Sequence, residues 1–335
     1  MKKAAVILLF ISAFLSQANA QLPKAQFCEK KMIGYVTNWS ANSSVDYANL
    51  THAFFSFLKP STNGSLLEYT MEQETLLFDF LKQTKKYACK RFISLGGGGD
   101  EAFPIMASNP EARGNFIANV ITFCKEKKFN GIDMDWEAMD NEVEKKNYTL
   151  LMKEFRKAIA SENLEFTATI GFGDYWCKWI ENDALQQADW IQLMIYDQTG
   201  TWVASPFGNH ASFEHYVQAQ QYWVDRGFAK EKIVLGLPFY GYKFVSKSGG
   251  SGTALKYSEI VAAFPSMNTS DDQTPGTDWC FFNGPDMIRK KTAYALENGF
   301  GGVMVWEMSQ DSEGAKSLHK AIMEGFAAYC ATLKK

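Results

Sequence analysis

The sequence has no cluster of basic residues and no acidic tail: 34 Lys and Arg against 37 Asp and Glu leave a formal net charge of −3. A protein that holds phosphate backbones carries a basic patch or stripe, so nucleic acid is not an expected partner. There is no C-x-x-C pair, which removes the common zinc and thioredoxin-like patterns. The four histidines, His52, His210, His215 and His319, show no H-E-x-x-H spacing. Neither a G-x-S-x-G elbow nor a phosphate-cradling glycine loop occurs. No metal and no organic cofactor is expected. Past the first 20 residues no apolar stretch is long enough to span a bilayer. Internal repeats, low-complexity linkers and segments resembling a second domain are also lacking.

What is present starts with an N-terminal export pattern. Lys2 and Lys3 precede an apolar run from Ala4 to Leu15, and Ala18-Asn19-Ala20 has the small residues of a cleavage site. The reading is a signal peptide over 1–20, cut after Ala20, and a secreted or extracytoplasmic mature chain beginning near Gln21. An uncleaved anchor is the competing reading. The six cysteines, Cys28, Cys89, Cys124, Cys177, Cys280 and Cys330, are an even number and permit up to three disulfides in an oxidising compartment. N-x-S/T sequons stand at Asn38, Asn42, Asn49, Asn63, Asn147 and Asn268.

With 46% hydrophobic and 21% charged residues, 335 residues suffice for one large buried core. Strand-length apolar runs recur at Ile33–Thr37, His52–Leu58, Arg91–Leu95, Gly131–Glu137, Phe166–Gly171, Trp190–Asp197, Ile233–Tyr240 and Gly301–Met308. They lack clean alternation, as strands of a parallel sheet covered on both faces do. Helical patterns separate them, at Met71–Tyr87, Asn109–Lys127, Asn141–Ser161 and Phe213–Arg226, with a last one at Gly314–Tyr329. Asn109-Pro110 reads as a cap followed by proline at the first helical position. Strands alternating with helices imply βαβ units, and eight of them imply an α/β fold, a (β/α)8 TIM barrel. A doubly wound open sheet is the runner-up. The mature chain, 21–335, reads as a single catalytic domain with a short, partly structured insertion after strand seven, about 242–285, holding a helix near 254–264.

In such a barrel the active site lies at the C-terminal ends of the strands. The fourth run ends Gly131-Ile132-Asp133-Met134-Asp135-Trp136-Glu137. A strand repeats every two residues, so Asp133, Asp135 and Glu137 face one way, while Ile132, Met134 and Trp136 face the helices. A column of three carboxylates inside a barrel is costly. Shared protons and raised pKa values are the expected relief.

The segment NGIDMDWE, Asn130 to Glu137, resembles the D-G-x-D-x-D-x-E signature of glycoside hydrolase family 18, the chitinase family; Asn130 departs from it by replacing the first Asp. FISLGG (Phe92 to Gly97), Met194-Ile195-Tyr196-Asp197, GLPFYG (Gly236 to Gly241), GGVMVWE (Gly301 to Glu307) and Gly34-Tyr35 resemble further family segments in the same order. The resemblance implies substrate-assisted retaining hydrolysis of β-1,4-linked N-acetylglucosamine, an exception to the two-carboxylate scheme. Under it Glu137 is the proton donor and later the base, and Asp135 orients the substrate's 2-acetamido group. Asp133 tunes Asp135, Tyr196 bonds the acetamido oxygen, and Asp197 contacts the distorted sugar. Trp306 forms the floor and Met194 lines the site; Tyr35 and Ser94 support the inner aspartates. Trp202 and Trp39 are softer candidates for the leaving-group side and the other side of the cleft.

An aromatic content of 15% with nine Trp suits sugar stacking, although aromatics also simply fill cores. Gly98 stands where the family often has a Trp, which predicts weaker binding of leaving-group sugars or another aromatic in that role. The insertion is short for a processive chitinase, and an open cleft favours internal cuts. Barrel geometry proposes the pairings 28–330, 89–124 and 177–280, out of fifteen possible connectivities. The expected ligand is chitin or its oligosaccharides, and the default state is a monomer. An endo-acting enzyme on N-glycan cores, a non-catalytic chitin-binding lectin and, more remotely, peptidoglycan cleavage stay open.

Overall fold

The computed structural model describes residues 25–41, 44–137, 139–173, 177–247, 252–264 and 279–334. The expected cleavage after Ala20 and the sequons at Asn42 and Asn268 lie outside the described residues. Strands β1 (Lys31–Thr37), β2 (His52–Leu58), β3 (Lys90–Gly96), β4 (Gly131–Asp135), β5 (Glu165–Ile170), β6 (Trp190–Leu193) and β7 (Ile233–Pro238) follow in chain order. After β7 come β8 (Tyr240–Phe244), β9 (Gly252–Lys256), β10 (Trp279–Phe282) and β11 (Gly302–Trp306). The first seven and β11 close a parallel barrel in sequential order, with β11 sealing it against β1. This is the expected (β/α)8 TIM barrel rather than the open sheet. The strands are buried on both faces: all seven residues of β2 are buried, which is why their sequences run apolar without alternation.

The helices are α1 (Met71–Lys86), α2 (Ala102–Ser108), α3 (Pro110–Lys127), α4 (Glu142–Ala158), α5 (Asn182–Leu185), α6 (Phe213–Asp225), α7 (Tyr257–Ala263), which lies in the insertion after β7, α8 (Pro285–Glu297) and α9 (Leu318–Thr332). Their starts are written locally. The Asn109 side chain accepts the amides of Glu111 and Ala112, with Pro110 in the first turn, as the sequence predicts. Asn141 does the same for Val143 and Glu144. The last helix begins later than its apolar pattern. Ser317 caps it by accepting the Lys320 amide, and the Asp311 carboxylate takes the amides of Leu318 and His319. Gly314–Lys316 is only a short 3-10 turn.

Five strand runs, those of β4, β5, β6, β7 and β11, end earlier than read, because pairing rather than apolarity ends a ladder. Strand β4 stops at Asp135, whose carbonyl takes the amide of Gly97 as β3 turns away. Strand β6 stops at Leu193, the last residue paired with β7. The seventh run divides at Phe239, which donates its amide to Trp306. From there β8 leaves the barrel for a small antiparallel sheet in the order β10-β8-β9. That sheet is the insertion, and it corrects the expected 254–264 helix. Residues 252–256 pair with β8, and the helix starts only at Tyr257.

One disulfide joins Cys28 to Cys330, with Cα atoms 5.8 Å apart, as barrel closure predicts for the two ends. The pairings 89–124 and 177–280 are not formed; all four residues are buried thiols. Sharing one end of the barrel does not bring Cα atoms to within about 7 Å with facing Cβ vectors. The Cys89 thiol turns to the Lys90 carbonyl, while Cys124 sits on the buried face of α3. Cys280 lies in the insertion sheet opposite Lys243, whereas Cys177 packs in the barrel's outer layer near Arg226. No described helix is long and apolar enough to cross a membrane.

Candidate active site

Parallel register builds the floor of the site. Asp133 on β4 is flanked by Ser94 on β3 and Thr167 on β5. Being fully buried, it needs partners, and it receives them from five neutral side chains. Ser94 and Tyr35 donate to Oδ2, each at 2.8 Å. Thr167 and Gln192 donate to Oδ1 at 2.8 and 3.0 Å, and Thr169 lies 3.1 Å from both oxygens. Burial raises the Asp133 pKa, and the donors on Thr167, Ser94, Tyr35 and Thr169 pull it back. Asp135, one step up the column, has no such ring: its Oδ1 is buried without a hydrogen-bond partner. Burial first, then the charges of Glu137 and Asp133, push Asp135 well above the carboxylate range. Donors favour the ionised form of Asp133 and nothing comparable favours that of Asp135, so a shared proton rests on Asp135.

Glu137 tops the column at the wall of a cavity of about 790 Å³. Its carboxyl is pushed up to about 7, chiefly by burial and then by the charge of Asp197, against a hydrogen bond from the Gly98 amide and the charge of Lys59. A Cβ on Gly98 would lie 3.6 Å from both Glu137 oxygens. No described cation forms an ion pair with any of the three carboxylates. A carboxyl half-protonated near neutrality, facing a cavity, can give a proton and take one back.

The same cavity is lined by Met194, Tyr196, Asp197 and Trp202, so these four meet Glu137 as the sequence predicts. Trp202 is 42% exposed. Asp197 adopts φ +61°, and its Oδ1 accepts the hydroxyls of Tyr240 at 2.6 Å and Tyr242 at 3.0 Å. Trp306 and Trp39 lie apart from the cavity lining, in an aromatic group with Phe57. Phe57 stacks on Trp306 at 5.6 Å, and Trp39, 55% exposed, stands 6.2 Å from Trp306. Tyr35 packs on Trp306 from below at 5.5 Å. Trp202 thus shares the cavity with Glu137, whereas Trp39 belongs to the aromatic group around Trp306.

Sequence reasoning missed Thr167, Thr169, Gln192, Tyr240, Tyr242 and Phe57. A signal for the first three existed: they are polar residues at inward parity in otherwise apolar runs, FTATI and WIQL. Their common target could not be read, because it lies on another strand. Nothing in the local sequence marks Tyr242, which reaches Asp197 only because β8 folds back.

Known proteins resemble this chain over most of its length. A class V chitinase of Lotus japonicus, CHIT5, is 26% identical over 83% of this chain and 82% of its own length. Among solved structures, chitinase ChiB from the chitin utilization locus of Flavobacterium johnsoniae is 27% identical, with a TM-score of 0.76 over 89% of this chain and 94% of that one. A chitinase-like agglutinin of Robinia pseudoacacia is 26% identical, with a TM-score of 0.74 over 88% and 99%. The family model for glycosyl hydrolases of family 18 matches residues 31–311, from the first barrel strand to just past the last, and the chain belongs to that family.

Proposed function

We propose that this protein is a secreted chitinase that cleaves β-1,4 bonds between N-acetylglucosamine units with retention of configuration. The observation that carries the reading is Glu137: a carboxyl facing the cavity and pushed up to about 7, above two buried aspartates. Glu137 gives its proton to the glycosidic oxygen as the bond to the anomeric carbon breaks. The carbonyl oxygen of the substrate's own acetamido group bonds to that carbon. Asp135, with an oxygen that lacks a protein partner, is placed to hydrogen-bond the acetamido N–H; passing its proton to Asp133 leaves it anionic to balance the cationic ring that forms. Glu137 then takes a proton from water as it attacks, and the ring reopens. Tyr196 and Asp197 hold the sugar, Trp306 supports its face, and Met194 and Trp202 receive the leaving group; Trp39, beside Trp306, serves the sugars that extend the other way.

The relatives named chitinases support this substrate, and the Cys28–Cys330 bond suits an oxidising compartment. We read 21–335 as one catalytic domain acting as a monomer. The likeness to an agglutinin favours a second reading, a lectin; the presence of Glu137 speaks against it. The test is hydrolysis of soluble chitin oligosaccharides by wild type and Glu137→Gln, with products resolved by mass and anomer. Retained-anomer products from the wild type, and a loss of at least about a hundredfold in the variant, are expected for removal of a general acid. Binding without cleavage by both proteins would support the lectin. Release of glycan from ribonuclease B would support action on N-glycans.

A further inference from the structure

The loop after β6 folds back on itself. The Thr199 hydroxyl donates to the Gly208 carbonyl at 2.8 Å, and the Gly200 amide donates to Ser205 Oγ at 2.6 Å. The Gln198 amide donates to the His210 carbonyl at 3.1 Å. The next carbonyl, that of Ala211, takes Asn283 Nδ2 at 3.0 Å and Lys291 Nζ at 2.6 Å. This backbone carries the His210 ring beneath Asp197, where it is 0% exposed. The ring packs against Tyr240 and Tyr242, with centroids 5.0 and 5.1 Å away. Its Nδ1 stands 3.4 Å from Asp197 Oδ1, the oxygen both tyrosines already address, without an aligned hydrogen bond.

A buried histidine that merely fills space ordinarily satisfies its nitrogens on backbone groups. Here neither ring nitrogen hydrogen-bonds a described residue, and the acceptor in reach of Nδ1 is Asp197. Three groups thus converge on one oxygen of a residue held at positive φ, a conformation Asp tolerates but does not prefer. No described residue donates to the other oxygen, Oδ2, and Asp197 lines the cavity.

We propose that His210 is a positioning residue for the reaction: with Tyr240 and Tyr242 it gathers Oδ1 of Asp197 and keeps Oδ2 free for the sugar bound beside Glu137. The inference rests on the hydrolase reading above. As that sugar enters, Nδ1–H closes on Oδ1 and fixes the plane of the carboxylate.

The test compares His210→Phe, which fills the space without a nitrogen, with His210→Asn, whose side-chain amide restores an N–H near Nδ1. The substrate is a chitin oligosaccharide, and melting temperatures are recorded alongside. The expected result for His210→Phe is a kcat lowered on the order of tenfold to a hundredfold, as for a misoriented catalytic contact. KM changes little, and Asn recovers most of the loss. In an Asp197→Asn background, His210→Phe causes little further loss, because both act on one contact. Phe and Asn variants both matching the wild type would overturn the inference while the hydrolase reading stands. So would equal losses in both, or full additivity with Asp197→Asn. A wild type that cuts no oligomer would overturn the hydrolase reading and this inference with it.

Discussion

The phenol of Tyr35 on β1 donates a hydrogen bond to Oδ2 of Asp133 on β4 at 2.8 Å, across the interior of the barrel. The two residues are 98 positions apart in sequence, and the barrel brings them together by closing. The contact links the first strand to the carboxylate column, so a change at Tyr35 is felt at Asp135 and Glu137.

Tyr35→Phe removes that donor and the 2.5 Å contact with Thr169, leaving Asp133 with one donor fewer. The expected cost is about 1–3 kcal/mol of stability, as for a hydrogen bond to a buried charged group. With the anion of Asp133 less favoured, the shared proton shifts from Asp135 toward Asp133, and the pH profile of kcat moves with KM near wild type. Chemical denaturation and steady-state kinetics on the same preparation measure both effects.

The pH dependence follows from Glu137. A proton donor must hold its proton, so kcat/KM falls as pH rises through about 7. The same shift acts on stability. The folded pKa lies above the unfolded value of 4.5, so the folded chain binds the extra proton between 4.5 and about 7. This contribution is complete below 4.5 and is lost as pH rises to about 7. Glu137→Gln cannot ionise; relative to wild type it becomes progressively more stable across that window. Melting temperatures of the pair from pH 4 to pH 8 check the sign, and a gap that narrows with rising pH would contradict it.

Thiol chemistry tests the cysteine pattern. Unfolded without reductant, the chain should react at four thiols, Cys89, Cys124, Cys177 and Cys280. The folded chain should react slowly at all of them, since each is buried and burial raises the Cys124 and Cys280 thiols. Cys330→Ser opens the bond to Cys28 and is expected to cost about 2–4 kcal/mol. It also loosens the contact of Phe27 with Phe326, whose rings lie 5.3 Å apart.

Trp202 and Trp39 are both exposed, and their proposed roles are separable. Trp202→Ala should raise KM by about tenfold, the equivalent of 1.4 kcal/mol, for substrates that extend on the leaving-group side. Trp39→Ala should do so for substrates that extend the other way. Oligomers of graded length, with cleavage position read by mass, separate the two. Since Gly98 places no side chain over Glu137, the platform proposed for the leaving group is Trp202, and its loss should shift cleavage along the oligomer.

Much of the molecule was legible before any coordinates. The alternation that turns Asp133, Asp135 and Glu137 inward, and Trp136 out against Phe103 and Tyr148, is a property of any strand. The caps at Asn109 and Asn141 are equally local. Strand ends were less legible at Asp135 and Leu193, because a ladder ends where its neighbour leaves, and the neighbour is elsewhere in the chain.

The amino-acid order by itself determined the barrel, the acid column and the family signature, because backbone periodicity and side-chain chemistry act over a few residues. Tertiary structure alone decided which donors ring Asp133, how far Glu137 is raised, which cysteines meet, and that His210 lies under Asp197. These depend on distances and burial set by barrel closure and by the fold-back of β8. A pKa or a contact is a property of the space around a group, and that space is filled by residues distant in sequence, 157 positions apart in the Gln192 contact with Tyr35.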